Sequence, residues 1–407
     1  MALWLAVFLS GFVLREPAPY ELYLAFLTVV WMLFGLKLRA AFGPLIICML
    51  LYIAGGVAAL PMASETKDAS IYIATSGFLA VTAIFYAAIL AERPDRTVLI
   101  ERAYVASALL VACFGIAGYF HLFPGAGMFT LYDRARGTFE DPNVFGPFLV
   151  LPTILLIRHL LVGNASRWLV LPLPILILTF GIFLSFSRGA WGVLVASCLI
   201  VYVLLLITER NPVRRLRLII LGALGLVAVV ALLGVALSFD SIGDMFEQRA
   251  KLVQSYDGAR LGRFARYSLG FHMVMERPLG LGAMEFHNYF PEDEHNVYLK
   301  GFTTYGWLGG ITYLVMVGWT FARLFPLLFK PRPWTPFVHC LFAVLVSHAL
   351  LAIIIDTDHW RHVYMLFGLS WGLIAADRLE RCAFQKKQRA NSGQHPINGL
   401  ALGKGTG

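Results

Sequence analysis

Four stretches of this 407-residue chain hold nearly all the side chains able to bind or move charge. They are RARGTFEDPN from Arg134 to Asn143, Arg188 in SFSRGAW, the loop from Ser238 to His295, and DTDHWRH from Asp356 to His362. Guanidinium groups grip phosphate oxygens in pairs through planar, charge-assisted hydrogen bonds. Arg136, Arg188 and Arg263 together would neutralise a diphosphate without a metal, with Arg134 beside them. Arg260, Arg263 and Tyr267 recur at i, i+3 and i+7, which puts them on one side of a helix. His295, in PEDEHNVYLK, stands where the loop meets an apolar run. An imidazole takes a proton near neutral pH, so it suits a general base that activates a hydroxyl.

Each of these residues also has a plainer reading. Arg188 is equally an interfacial anchor whose side chain snorkels. Asp141, Pro142 and Asn143 suit the start of a helix as well as a binding site. Asn296 either contacts substrate with His295 or caps the helix that follows. Glu292, Asp293 and Glu294 are consecutive, so their side chains diverge and read as solvated loop charge rather than a magnesium cage. In DTDHWRH, Asp356, Asp358, His359, Arg361 and His362 would either hold the arginines in place or bind sugar hydroxyls, with Trp360 stacking on a ring. No spacing there signals a metal, and no cofactor is expected.

The elements that position these groups follow from composition. The chain is 59% hydrophobic and 14% charged, with a mean hydropathy of +0.73. Soluble domains carry about 25% charged residues. This excludes an ordinary soluble protein, and the net charge of +9 is what inward-facing loops carry rather than a sign of nucleic-acid binding. The expected fold is all-α, a polytopic bundle of about twelve membrane helices. Their limits are 3–14, 20–36, 42–60, 71–90, 98–120, 144–160, 168–184, 190–207, 218–238, 297–321, 336–355 and 363–376. Lys37/Arg39, Arg93/Arg96/Arg102, Arg158/Arg167, Arg210–Arg217 and Arg323/Lys330/Arg332 fall in alternate gaps, which places those gaps and both termini in the cytoplasm. The chemical stretches then share the opposite, outer face. The organisation is an N-terminal bundle 1–238, a periplasmic loop 239–296 with an amphipathic helix between the ninth and tenth spans, C-terminal helices 297–380 and a disordered cytoplasmic tail 381–407. The five cysteines are scattered, four of them within apolar runs, and read as small buried hydrophobes. No cleavable signal peptide is evident at the start.

On these residues the chain resembles the O-antigen ligase/polymerase superfamily of bacterial integral membrane proteins. The pattern runs from about Arg134 to His362: R-G-T-F-x-D-P-N at Arg136–Asn143, S-x-S-R-G-A at Ser185–Ala190, G-R-F at Gly262–Phe264, E-R-P-x-G-x-G at Glu276–Gly282, H-N-x-Y-L at His295–Leu299 and G-W-L-G at Gly306–Gly309. The resemblance implies a GT-C-like, inverting, metal-independent glycosyltransferase of the bacterial inner membrane with its active face in the periplasm. Its donor would be an oligosaccharide on undecaprenyl diphosphate, and its acceptor another glycan or lipid A-core. Arg136, Arg188 and Arg263 would contact the diphosphate, and His295 would sit near the acceptor. DTDHWRH and the run from His295 to Gly309 look more like polymerases of O-antigen or exopolysaccharide repeat units than like lipopolysaccharide ligases. The partners implied are the bilayer and polysaccharide export or chain-length proteins. A different class, a transporter or flippase of lipid-linked sugar, would use the same arginines without chemistry, but the halves of the chain show no similarity and the polar groups gather toward one face.

Overall fold

In a bilayer an apolar run can satisfy its backbone hydrogen bonds only by coiling into a helix, and this chain does so nearly throughout. The computed structural model describes residues 1–164, 166–250 and 262–391. Its helices are α1 Ala2–Leu9, α2 Pro19–Leu33, α3 Gly43–Ala59, α4 Thr66–Glu92, α5 Thr97–Tyr119, α6 Pro142–Phe148, α7 Val150–Val162, α8 Arg167–Val170, α9 Pro172–Leu184, α10 Arg188–Thr208, α11 Pro212–Leu237 and α12 Asp240–Ala250. After residues 251–261 come α13 Arg263–Met275, α14 Val297–Leu324, α15 Thr335–Leu351 and α16 Arg361–Asn391. A hairpin of β1 Thr130–Leu131 and β2 Arg134–Ala135 turns through Tyr132 and Asp133, both at positive φ, as a tight two-residue turn requires. Seven segments are long and apolar enough to cross a membrane: Ala40–Met62, Thr66–Glu92, Pro94–Tyr119, Pro142–Val162, Arg188–Thr208, Pro212–Leu237 and Val297–Phe329. Pro19–Leu33, Pro172–Leu184 and Thr335–Leu351 are shorter apolar helices. The fold is the expected all-α polytopic one.

Three apolar runs depart from single helices, each for a visible reason. The first run stops at Leu9, and Ser10 Oγ turns back to Val7 O at 2.6 Å. The chain then extends, and Val13 N donates to Thr138 O at 2.9 Å, a short bridge to the RARGTFEDPN stretch. Pro147 lacks the N–H that a continuous helix needs, and α6 gives way to α7 just after it. Pro172 likewise opens α9 directly after α8.

Glycines bring the central helices together. Gly368 and Gly372 lay α16 against α4, where a Cβ on Gly372 would meet Leu90 Cβ at 2.7 Å and Ala87 O at 2.9 Å. Gly55 of α3 meets Tyr305 O of α14 in the same way, at 2.5 Å. Small residues permit such backbone approach where lipid offers no hydrophobic drive. Around these seams lies one large core that includes Tyr20, Tyr86, Tyr104, Phe145, Phe148, Tyr305 and Trp371.

The helices α11 and α14 are joined by α12, residues 251–261, α13 and a turn through ERPLGLG. That turn docks into a break in α14. Gly306 sits at φ 64°, ψ −172°, outside helical geometry. Leu281 N and Gly282 N donate to Thr303 O at 2.7 and 3.2 Å, and Trp307 N donates to Pro278 O at 2.8 Å. The loop thus takes up the backbone groups that the break releases, which an apolar setting demands.

A Cβ on Gly306 would lie 2.7 Å from Pro278 O, and its φ is one that side chains resist. Gly306→Ala is expected to destabilise the protein by about 1–3 kcal/mol and to lower its melting temperature in detergent. Gly318→Ala, in the same helix with nothing within 4 Å, should leave the melting temperature unchanged or slightly higher.

Candidate functional site

The SFSRGAW turn is built from inside. Ser185 is fully buried, and its Oγ donates to Ile182 O at 2.6 Å. Ser187 caps α10, its Oγ accepting from Ala190 N at 3.3 Å, so Arg188 is the first helical residue. Arg134, only 7% exposed, reaches this turn from the hairpin. Its Nε donates to Ser185 O and its Nη2 to Asn143 Oδ1, both at 2.8 Å. Asp141 caps α6, its Oδ1 accepting from Asn143 N at 2.7 Å. Arg134, Asn143 and the Arg188 turn therefore form one assembly.

A second turn meets the first at the end of α15. Gly189 packs on Leu351, where a Cβ would come within 2.6 Å of Leu351 Cδ1. The next residue, Ala352, accepts through its O from Val297 N at 2.9 Å. Val297 opens α14 directly after His295 and Asn296, and Asn296 caps it, Oδ1 accepting from Leu299 N at 3.1 Å. Arg188 and His295 so flank one corner, Leu351–Ala352. Both turns carry left-handed backbone at residues with side chains, Phe186 at φ 45° and His295 at φ 47°. Such geometry costs about 1–3 kcal/mol and persists where the surroundings enforce it.

The 263–275 helix leans on the same corner. Tyr267 Oη donates to His295 O at 3.0 Å, and Arg263 lies one turn earlier on that side of α13. Arg188 and Arg263 both make interactions within the chain. Arg266, not singled out from the sequence, is 1% exposed and donates from Nη2 to Glu292 Oε2 at 2.7 Å. Arg260 lies outside the described residues. A small apolar cluster of Val274, Leu281, Phe286, Phe290 and Leu299 fastens α13 to α14. Glu285 ties the loop to the end of α3. Burial opposes its charge, but hydrogen bonds from Ser64 N and Oγ, each 2.6 Å, and from Asn288 outweigh it and hold the carboxyl below its ordinary value.

DTDHWRH distributes its side chains to four places. Asp356 Oδ2 lies 3.2 Å from Lys300 Nζ, and Asp358 Oδ1 lies 3.9 Å from it. Tyr72 Oη of α4 donates to Asp358 Oδ2. His359 Nε2 is 2.8 Å from Ser76 Oγ, which is itself 2.6 Å from Tyr305 Oη. Arg361 pairs with Glu21 and Glu16, its Nε donating to Glu21 Oε1 at 2.8 Å and its Nη2 to Glu16 Oε1 at 2.6 Å. His362 is 3% exposed, among Phe148, His348 and Trp360. Arg136 donates from Nε and Nη2 to Met128 O at 3.2 and 3.0 Å and from Nη1 to Glu140 O at 3.2 Å, so it braces its own loop.

Lys300, Tyr72, Ser76 and Tyr305 escaped the sequence reading, although a lysine inside an apolar helix is itself a signal of function. Glu294 corrects that reading. It is 2% exposed, and Thr303 Oγ1 donates to it, so it is not a solvated loop charge. The divergence of consecutive side chains turned Glu294 inward while Glu292 and Asp293 stayed exposed. Loss of water lifts the Asp356 carboxyl above its ordinary value and lifts Glu294 to about 7, the nearby Asp356 adding to the effect and Lys300 opposing it. Burial presses on Asp358 as well, but Lys300, His359 and the Tyr72 hydroxyl outweigh it and hold that carboxyl below its ordinary value. Among the described residues no group of three or more His, Cys, Asp or Glu is arranged to hold a metal ion.

Two outcomes follow from this cluster. In the unfolded chain Glu294 ionises near 4.5, whereas the folded protein keeps its proton up to about 7. The folded state therefore binds more protons between those values, and stability falls as pH rises through that window. Glu294→Gln should flatten that part of a melting-temperature profile against pH. Lys300→Met leaves Asp356 and Asp358 without their ammonium and should destabilise the protein by about 3–5 kcal/mol, with much of the loss recovered in a Lys300→Met, Asp356→Asn, Asp358→Asn triple variant.

A comparison with protein families matches residues 173–314 to the model described as O-Antigen ligase, Wzy_C. No curated protein matches the chain. The matched segment runs from α9 to Leu314 within α14 and holds Arg188, Arg263, His295, Lys300 and the broken turn at Gly306. Arg134, Arg136 and DTDHWRH lie outside it. The segment that carries the Arg188 and His295 turns is thus similar to the O-antigen ligase family, within a chain whose long apolar helices are those of a multi-pass membrane protein.

Proposed function

We propose that this protein is an inverting, metal-independent glycosyltransferase that extends a lipid-linked glycan at the periplasmic face of the bacterial inner membrane. The donor is an oligosaccharide on undecaprenyl diphosphate, and the acceptor is the terminal sugar of another lipid-linked repeat unit. The observation that carries this reading is the meeting of the Arg188 turn and the His295 turn on one corner. A group that recognises a diphosphate and a group that takes a hydroxyl proton then have a common frame.

In the reaction an acceptor hydroxyl oxygen bonds to the anomeric carbon while the bond from that carbon to the diphosphate oxygen breaks. The hydroxyl proton passes to His295, and the electron pair leaves with undecaprenyl diphosphate. Arg188 and Arg263 meet the negative charge that grows on the leaving oxygens, and preorganised charge of that kind is commonly the largest catalytic contribution. Arg134 and Asn143 act by fixing the Arg188 turn. Arg136 adds positive potential from its braced loop. Asp358 and His359 are held by Lys300, Tyr72 and Ser76, so they shape the wall beside His295 more than they bind sugar. The division into bundle 1–238, loop 239–296 and helices 297–380 suits this scheme, with the loop bringing Arg263 over the acceptor side.

Purified protein in liposomes with a lipid-linked donor tests the reading. Wild type should lengthen the glycan. Arg188→Ala should lower the rate about 10²–10³-fold at unchanged protein level and melting temperature, and His295→Ala about 10²-fold or more. Wild-type rates in Arg188→Ala would overturn the proposal. Transfer only to added lipid A-core would reassign the protein as a ligase, and glycan that crosses the bilayer unchanged would make it a carrier.

A further inference from the structure

At the end of the bundle opposite the His295 corner, a cavity of about 570 Å³ opens beside the start of α5. Its lining includes Val98, Glu101, Arg102, His159, Arg167 and Val170. One wall is cationic. Arg102 and Arg167 are exposed, and Arg167 Nη1 lies 3.1 Å from His159 Nδ1. The other ring nitrogen of His159 is bonded to Glu101, so the cavity's carboxylate is already engaged. Arg158 lies within electrostatic reach of both Glu101 and Arg167, and its Nε is buried without a hydrogen-bond partner among the described residues. Arg217 Nη2 donates to Gly163 O at 2.8 Å.

The other wall is apolar and unpartnered. Val170 is 67% exposed and Val98 53%, and Leu171 lies beside them. These side chains sit where apolar helices begin, at the level at which headgroups meet hydrocarbon. A small soluble anion would satisfy the arginines and leave that wall bare. A phospholipid satisfies both, with its phosphate among the guanidiniums and an acyl chain along Val98, Val170 and Leu171. Basic pockets between membrane helices hold anionic headgroups in this manner.

We infer that this groove is a binding site for one anionic phospholipid, held by Arg102 and Arg167 through its phosphate and by the α5–α9 seam through an acyl chain. The site is independent of the transfer reaction and lies on the other membrane face from it.

The test uses the full-length protein in nanodiscs of phosphatidylethanolamine doped with phosphatidylglycerol. Lipid retained after detergent release is read by native mass spectrometry, and affinity by competition with a fluorescent phosphatidylglycerol. Wild type should retain phosphatidylglycerol over phosphatidylethanolamine, and excess inorganic phosphate should not displace it. Arg102→Gln with Arg167→Gln should weaken binding roughly tenfold or more. Arg214→Gln with Arg215→Gln, which removes two exposed arginines elsewhere in the basic gaps, should leave binding unchanged. Equal retention of both lipids, equal loss in the two double variants, or full displacement by phosphate would each overturn the inference. Val170→Trp keeps the arginines and crowds the acyl wall, so it should also lower retention, and wild-type retention in it would count against a lipid. None of these readouts depends on glycan transfer.

Discussion

A lysine ammonium drawn into a water-poor pocket must bring its counter-charges with it, and much of this structure follows from where they come from. Lys300 lies on the first turns of α14, while Asp356 and Asp358 come from the turn after α15. The desolvation of three charges is repaid only if the geometry is complete. Tyr72 completes it from α4, and Ser76 and Tyr305 extend the network through His359. Three parts of the chain distant in sequence are thereby joined at one end of the bundle. Arg361 adds a fourth by holding Glu16 and Glu21, which pins the N-terminal helices to the start of α16. The cluster does not need to touch substrate to matter. It fixes the first turns of α14, and His295 stands immediately before them.

The second constraint is the break in α14. A helix interrupted in an apolar setting leaves carbonyls and N–H groups that something must satisfy. Here the ERPLGLG turn does so, through Leu281, Gly282 and Pro278. The same contacts that repair the helix dock the loop, and with it α13. Gly306 at the break and Gly280 and Gly282 in the turn all have positive φ, which is why glycine recurs at those places. Local backbone chemistry near Gly306 thus determines where Tyr267 and Arg263 stand relative to His295.

The sequence made the fold readable because its signals are local. Long apolar runs gave the helices, and Pro147 and Pro172 explain where two runs split. Asp141 and Asn296 could be read as caps, and both are. The site was readable only in outline. Arg188 and His295 announce themselves as polar residues at the ends of apolar runs. The partners of Lys300, Arg134 and Arg361 lie 56, 51 and 340 residues away in the chain, and no periodicity reports such distances. Arg266 was overlooked because the pattern through Arg260, Arg263 and Tyr267 names one stripe of a helix, while Arg266 lies on the adjoining, buried one. Glu294 was misread because the chain enters α14 through a left-handed residue at His295, which no neighbouring residue signals.

The corner at Leu351–Ala352 is where these constraints converge on chemistry. One side of it bears Gly189 and hence the first turn of α10. The other side accepts the first N–H of α14. Tyr298 Oη adds a bond to Ala349 O at 2.7 Å, so α14 grips the end of α15 twice. A displacement of that corner would move the Arg188 turn and the His295 turn together rather than apart. The proposed transfer between two bound lipids would be sensitive to errors near 1 Å in relative placement, and a shared mount suppresses relative error better than two separately rigid ones. The strain stored at Phe186 and His295 is then intelligible. Each left-handed residue stands just before the group that meets that corner, Gly189 on Leu351 and Val297 on Ala352.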